Sequence, residues 1–320
     1  MKLKKALLTV LTVSAAGMIS AAENLIRNPD FDLNLKTGFP YVWNLSKNAV
    51  GEVVTGPDGK NALSLTGPDD GKLYYWTQFG KDVIRVQAGK AYQLKGKFNA
   101  ASGTETMVYL ECGDPWKTFS FGPVTGDGKW HDFKIGNIKF EKIGKSPHLI
   151  CRIKTPGSAL FTGLELTELE PGDVNLLRND DFSETVKNRL PKYWTFSKGA
   201  QVGIADEPEG RCLRLTCPEE GKTAHIMQSG LELAANKEYL LTVSCKGGAE
   251  SMFRAYVETD KPEWQTKSAP WQTGNDEWQA ITLRFRFSAV GSKPWLVLQV
   301  KGTGDVLFRE PKISEVRVSE

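Results

Sequence analysis

The sequence predicts an all-β chain built as two tandem β-sandwich domains. Three observations predict it. One stretch near the N-terminus recurs at a fixed offset. Apolar residues alternate with period two in short runs. Clusters of Gly, Pro, Asn and Asp separate those runs along the chain.

The recurrent stretch first reads Asn24-Leu25-Ile26-Arg27-Asn28-Pro29-Asp30-Phe31 and continues to Pro40-Tyr41-Val42-Trp43. Its second copy reads Asn175-Leu176-Leu177-Arg178-Asn179-Asp180-Asp181-Phe182 and continues to Pro191-Lys192-Tyr193-Trp194, an offset of 151 positions without a gap. Ser46-Lys47 and Ser197-Lys198 keep the same offset. Recurrence over this length marks an internal repeat. A chain of 320 residues is long enough for two ordinary domains.

In chain order, the first element is a basic start (Lys2, Lys4, Lys5), an apolar run from Ala6 to about Ile19, and the small residues Ser20 and Ala22. This pattern reads as an export signal over residues 1–22, cleaved after Ala22. The run falls short of the ~20 apolar residues that a spanning helix needs, so no membrane span is expected. The protein is expected to be exported, whether to a periplasm, a cell surface or the medium. The first repeat follows over residues 23–170. Pro171-Gly172-Asp173 forms a turn-type joint, and the second repeat occupies residues 174–320.

The correspondence continues past the opening. Ala62-Leu63-Ser64-Leu65-Thr66 matches Cys212-Leu213-Arg214-Leu215-Thr216, Gln78 matches Gln228, and Lys90-Ala91-Tyr92 matches Lys237-Glu238-Tyr239. Tyr109-Leu110-Glu111 matches Tyr256-Val257-Glu258, and Thr125-Gly126 with Trp130 matches Thr273-Gly274 with Trp278. Within each repeat, Tyr239, Leu241, Val243 and Cys245 share one face of a strand while Thr242 and Ser244 share the other. No stretch shows a persuasive helical period, and about eight to ten strands in each repeat make a two-sheet sandwich.

Composition removes several function classes. The 41 Lys and Arg nearly balance the 38 Asp and Glu, which gives no whole-chain reason to expect a nucleic-acid partner. The five cysteines (Cys112, Cys151, Cys212, Cys217, Cys245) include no C-x-x-C pair. They read as small buried apolar residues, or as a bridge within the Cys212, Cys217, Cys245 group with at least one thiol left over. No G-x-S-x-G, H-E-x-x-H or phosphate loop is present. The chain is expected not to be an enzyme.

The opening Asn-Leu-(Ile/Leu)-Arg-Asn-x-x-Phe, the early Pro-x-x-Trp, the Lys-x-Tyr strand and the later Gly-x-x-x-Trp strand resemble the secreted carbohydrate-binding modules attached to bacterial cellulases and xylanases. These are the jelly-roll, galactose-binding-like type of families 4, 9 and 22. The resemblance spans each repeat once. It implies two modules that bind polysaccharide or oligosaccharide chains in a cleft; the two copies fill the chain, so a glycan-degrading enzyme is expected only as a separate partner. The chain departs from the pattern at the carboxylates that hold a structural calcium in such modules. It has Phe31-Asp32 and Phe182-Ser183 at the opening, then Thr162-Gly163 and Arg309-Glu310 near the close. No cofactor is therefore expected, because calcium wants several charged oxygen ligands.

A saccharide site needs flat aromatic faces for pyranose rings and planar polar groups for hydroxyls. Parity shows which side chains are free for this. Tyr109 and Glu111 project opposite to Val108 and Leu110, and Arg254, Tyr256 and Glu258 project opposite to Phe253, Ala255 and Val257. The alternative for this face is a solvated surface on which Arg and Glu pair. On the penultimate strands, Arg152 in one repeat and Trp295 with Gln299 in the other lie on the polar face. Trp116 and Trp264 follow prolines after the Tyr-Glu strand, where they either rim a site or fold back as a lid. The run Tyr74-Tyr75-Trp76 leaves at least one aromatic outside the core at either parity, which brings Tyr75 and Trp76 into the candidate set. Trp43/Trp194 and Trp130/Trp278 recur at matched positions and are expected in the core. The leading expectation is a non-catalytic glycan-binding protein; the alternative is a cell-envelope structural or adhesion protein that uses the same sandwiches to meet protein partners.

Overall fold

The computed structural model describes residues 23–154, 156–186, 190–208, 210–260 and 264–316. The expected export signal, residues 1–22, lies outside the described residues.

The first repeat forms strands β1 (Asn44–Leu45), β2 (Val50–Thr55), β3 (Asn61–Thr66), β4 (Leu73–Phe79), β5 (Ala91–Ala100), β6 (Glu105–Gly113), β7 (Lys117–Thr125), β8 (Trp130–Lys139), β9 (Lys145–Lys154) and β10 (Ser158–Leu169). They pair into two five-stranded sheets in the orders β1-β4-β9-β6-β7 and β2-β3-β10-β5-β8. The second repeat has a small hairpin of β11 (Thr185–Val186) and β12 (Leu190–Pro191), then β13 (Thr195–Phe196), β14 (Gln201–Glu207), β15 (Gly210–Thr216), β16 (Thr223–Ser229) and β17 (Glu238–Gly247). It ends with β18 (Met252–Thr259), β19 (Gln265–Ser268), β20 (Gln272–Thr273), β21 (Gln279–Arg286), β22 (Trp295–Lys301) and β23 (Asp305–Glu315). The sheet orders match those of the first repeat: β13-β16-β22-β18-β19, with β20 also on β18, and β14-β15-β23-β17-β21. The pairing is antiparallel throughout both sandwiches.

Alternation sends one face of every sheet inward. On β5, Tyr92, Leu94, Phe98 and Ala100 are buried; on β17, Tyr239, Leu241, Val243 and Cys245 are buried, as the sequence parity requires. One core runs between Ile26 and Leu166 and a second between Leu177 and Ile313. All five cysteines are buried and unbridged, so the reading of them as small core residues holds and no Cys212–Cys217–Cys245 bridge forms.

The recurrent opening is a hydrogen-bond network. The Asn24 side chain accepts from the Ile26 and Leu166 N–H groups and donates to the Leu164 carbonyl. Asn175 does the same with Leu177, Ile313 and Pro311. The Asn28 amide accepts from Asp32 N–H and donates to the carbonyls of Asp32 and Tyr41, and Asn179 repeats this with Glu184 and Lys192. The Trp43 and Trp194 indoles donate to the carbonyls of Asn28 and Asn179 and stack edge-on or tilted against Phe31 and Phe182 at 5.5 Å. Gln78 and Gln228 donate to the carbonyls of Arg27 and Arg178. The Tyr92 and Tyr239 hydroxyls each accept a loop N–H, from Gln87 and Ala234, at 2.8 Å. Gly126 and Gly274 recur because a β-carbon there would collide with the backbone of Ala100 or Gly247.

Two expectations about tryptophan need correction. Trp130 and Trp278 are half-buried, outside both cores. Arg309 lies 4.1 Å over the Trp278 ring, so this side chain packs against a cation at the sandwich edge. Trp76, expected among the exposed aromatics, is fully buried, and its Nε1 donates to the Ser64 carbonyl at 2.8 Å. Parity on β4 directs Tyr74 and Trp76 inward and Tyr75 outward, and the missing side chain at Gly51 makes room for the indole.

The two sandwiches meet across an ion pair between Lys134 Nζ and Asp180 Oδ2 at 2.9 Å. Asp180 also accepts from the Asn175 side chain. Two cavities, of about 700 and 610 Å³, lie along this junction. The burial difference on β4 sets a test. Trp76→Ala is expected to destabilise the first sandwich by about 3–5 kcal/mol, whereas Tyr75→Ala should cost less than about 1 kcal/mol. Urea denaturation followed by circular dichroism distinguishes the two.

Candidate functional site

The outer face of the β1-β4-β9-β6-β7 sheet carries three rows of side chains that register fixes. Tyr75, Arg152 and Met107 make the first row across β4, β9 and β6. Thr77, Ile150, Tyr109 and Ser120 make the second, and Phe79, His148, Glu111 and Thr118 the third. Sequence parity places Tyr109, Glu111 and Arg152 on outward faces and leaves Tyr75 as one of a run of aromatics with at least one outward; the register makes β4, β9 and β6 neighbours and unites the four. The Arg152 guanidinium lies 5.5 Å from the Tyr109 ring centroid. Burial pushes the Tyr109 phenol up, Glu111 adds to the shift and Arg152 opposes it. Thr118 donates to Glu111 Oε2 at 3.3 Å. Trp116, 44% exposed, stands edge-on against His148 at 5.7 Å, and Phe79 packs on the same ring at 5.8 Å. Trp116 therefore rims this face.

The second repeat builds the same three rows. His225, Gln299 and Arg254 make the first, Met227, Val297, Tyr256 and Ser268 the second, and Ser229, Trp295, Glu258 and Thr266 the third. The polar groups here bond one another. Arg254 Nε donates to Gln299 Oε1 at 2.8 Å, and Gln299 Nε2 donates to Thr223 Oγ1 at 3.2 Å. The guanidinium sits between two rings, 5.1 Å from Tyr256 and 4.5 Å from Trp271. Trp295 Nε1 and Thr266 Oγ1 each donate to Glu258 at 2.9 Å. Trp264, 62% exposed, stands edge-on against Trp295 at 5.1 Å, the relation that Trp116 has to His148. Burial pushes the Tyr256 phenol up, with Glu258 adding and Arg254 opposing.

Superposed row by row, the two faces differ in one instructive way. Arg152 of β9 stands where the second repeat has Gln299, and Arg254 of β18 stands where the first has Met107. An arginine occupies the same row in both repeats, one strand apart, and packs on the recurrent tyrosine in both. Residue-by-residue matching of the copies hides this, because neither arginine recurs. His148, Phe79, Met107, Thr118, His225 and Trp271 join the faces beside the expected residues. Phe79 shares the parity of Tyr75, a signal present in the sequence; Trp271 comes from a loop and has none.

Both faces are open surfaces, and the two cavities lie at the junction instead. Among the described residues, no group of three or more His, Cys, Asp or Glu side chains is arranged around a common point. The Thr162 hydroxyl donates to the Asn61 carbonyl, and the Ser183 hydroxyl to Asp181 Oδ1.

No protein-family model and no curated protein matches the chain. Among solved structures, the chain is similar to the N-terminal tandem of two family 22 carbohydrate-binding modules from Paenibacillus barcinonensis Xyn10C, at 13% identity and a TM-score of 0.38, over 93% of this chain and 99% of that one. It is also similar to the first of those modules alone, a xylan-binding domain (19% identity, TM-score 0.38, 47% of this chain and 99% of that one). A family 61 module in complex with β-1,4-galactotriose is a third (17% identity, TM-score 0.34, 46% and 100%). These are carbohydrate-binding modules, the class that the sequence resembles. At such identities and TM-scores the likeness decides nothing about a ligand.

Burial lowers the His225 pKa, with Glu258 opposing the shift. The unfolded chain therefore takes up this proton first as pH falls. The stability that neutral His225 contributes is complete above the ordinary histidine value of about 6.5 and declines below it, toward the folded value. His225→Gln should flatten that slope: between neutral and mildly acidic buffer its melting temperature should drop less than that of the parent chain.

Proposed function

We propose that the protein is a non-catalytic, exported glycan-binding protein that holds polysaccharide or oligosaccharide chains against the outer sheet faces of two modules, residues 23–170 and 174–320. The observation that carries this reading is the recurrent trio of tyrosine, glutamate and arginine, whose arginine comes from β9 in one module and β18 in the other. The two modules place a guanidinium over the same tyrosine from different strands. Tyr109 with Tyr75 and Trp116, and Tyr256 with Trp264 and Trp295, supply faces for pyranose rings. Glu111 and Arg152, and Glu258, Arg254 and Gln299, supply acceptors and donors for hydroxyls.

The first module is the stronger binder in this reading. Its face exposes Tyr75, Phe79 and Trp116, whereas the second has His225 and Ser229 in place of Tyr75 and Phe79 and spends its polar groups on one another. Two sites on one chain gain avidity on a polymer when both engage. A second reading, protein contact, is favoured by the stretch between Asp32 and Val42, which exposes Leu33, Leu35, Phe39 and Tyr41.

Affinity electrophoresis against β-glucans and xylans tests the proposal. The chain should be retarded by at least one of them. Tyr109→Ala should weaken binding by roughly fivefold, from about 1 kcal/mol of stacking, and by more than Tyr256→Ala does; the double variant should be retarded least. Mobility that no polysaccharide changes would leave the protein-contact reading in possession. Release of reducing sugar from any of them would overturn the non-catalytic assignment.

A further inference from the structure

The larger junction cavity is not an extension of either core. Its walls on one side are β7 and β8, the free edges of the two sheets of the first module. On the other side is the opening stretch of the second module, with Arg178 and Tyr193. Sheet edges present backbone N–H and C=O groups without strand partners. Its volume of about 700 Å³ lies within the ~300–1,000 Å³ of small-ligand sites.

Three further observations point to what it would hold. Five Lys or Arg and seven Asp or Glu side chains line the cavity, and Lys134–Asp180 and Lys117–Glu141 are ion-paired, so the two signs come close to balance. A charged ligand gains little from such walls, while a polyhydroxylated one finds donors and acceptors on all sides. Tyr193 is 42% exposed and lines the cavity, yet its counterpart in the first module is Val42, which packs against the core. Arg178 and Lys192 lie over the Tyr193 ring at 5.7 and 4.8 Å, so a sugar that stacks there competes with them for the ring face. This aromatic is specific to the copy whose opening faces the junction. Finally, Thr118 and Ser120 end the rows that carry Glu111 and Tyr109, and both also line the cavity. A chain laid across β4, β9 and β6 leaves the sheet at β7 and enters it.

We propose that the cleft between the modules is a third binding site for uncharged oligosaccharide, continuous with the face of the first module and with Tyr193 as its stacking platform. It rests on the glycan-binding reading above. The Lys134–Asp180 ion pair holds the two walls together, and the bond from Asn175 to Asp180 ties it into the opening network of the second module.

Isothermal titration calorimetry on the full chain, with xylotriose, xylohexaose, cellotriose and cellohexaose as probes, tests this. Tyr193→Ala should lower the affinity for the bound hexasaccharide about threefold to tenfold and leave the trisaccharide unchanged, whereas Tyr109→Ala should lower both. Gly136→Leu provides an independent arm. Gly136 lines the cavity, and a β-carbon there meets no atom within 4 Å, so a larger side chain starts in open space at the cleft wall. It should mimic Tyr193→Ala. A folded Gly136→Leu chain with parental hexasaccharide affinity overturns the cleft site, and if Tyr109→Ala still weakens binding the face survives. Failure of all four probes to bind the parent chain overturns both.

Discussion

Two side-chain amides near the start of each repeat hold the rest in place. Asn24 and Asn175 splice the opening segment onto the last strand, and Asn28 and Asn179 clamp the loop that leads to Trp43 and Trp194. A primary amide has donors and an acceptor in one plane, so each satisfies three backbone groups that no strand can reach. The clamp imposes left-handed backbone at Asn28, Phe31 and Val42, and at Asn179, Phe182 and Tyr193. For residues other than glycine this costs on the order of 1 kcal/mol each. Full burial of Phe31 and Phe182, at about 1.5–3 kcal/mol each, offsets the cost. The conserved spacing of the repeat is thus the spacing of a clamp, which explains why polar residues recur as faithfully as apolar ones.

Much of the fold was legible because period two is a direct readout of which face packs. The parity of residues 239–245 and of residues 108–111 places the side chains as the structure does. Parity is silent about neighbours, however. Nothing in the sequence says that β9 lies between β4 and β6, so the union of Tyr75, Arg152 and Tyr109 could not be read in advance. Trp76 was misread because Tyr75 carries the exposed position and a glycine on another strand accommodates the indole. Trp130 and Trp278 were misread because recurrence signals a shared role without saying whether that role lies in the core or at an edge.

The two candidate faces also show how a duplicated surface diverges. Tyrosine and glutamate stay on one strand, where they keep their register to each other. The guanidinium comes from a different strand in each copy, and in the second Gln299 accepts a hydrogen bond from it. More polar groups of the second face bond one another, so a ligand that displaces such a bond gives up about 0.5–1.5 kcal/mol for each. The first face keeps more aromatic area open to solvent. Divergence in affinity therefore needs no change of fold, only a different balance between self-bonded and available polar groups.

The cysteines bear on how such a junction can be watched. Burial drives the thiols of Cys112, Cys151 and Cys245 up in pKa, which suppresses the thiolate that reacts with maleimides. Cys212 and Cys217 are equally shielded from solvent. The chain therefore offers a quiet background for spectroscopic labels. A cysteine introduced on β8 and another on the loop before Trp194 would be the two reactive thiols on the surface, and the distance between their dyes would report the width of the cleft in solution.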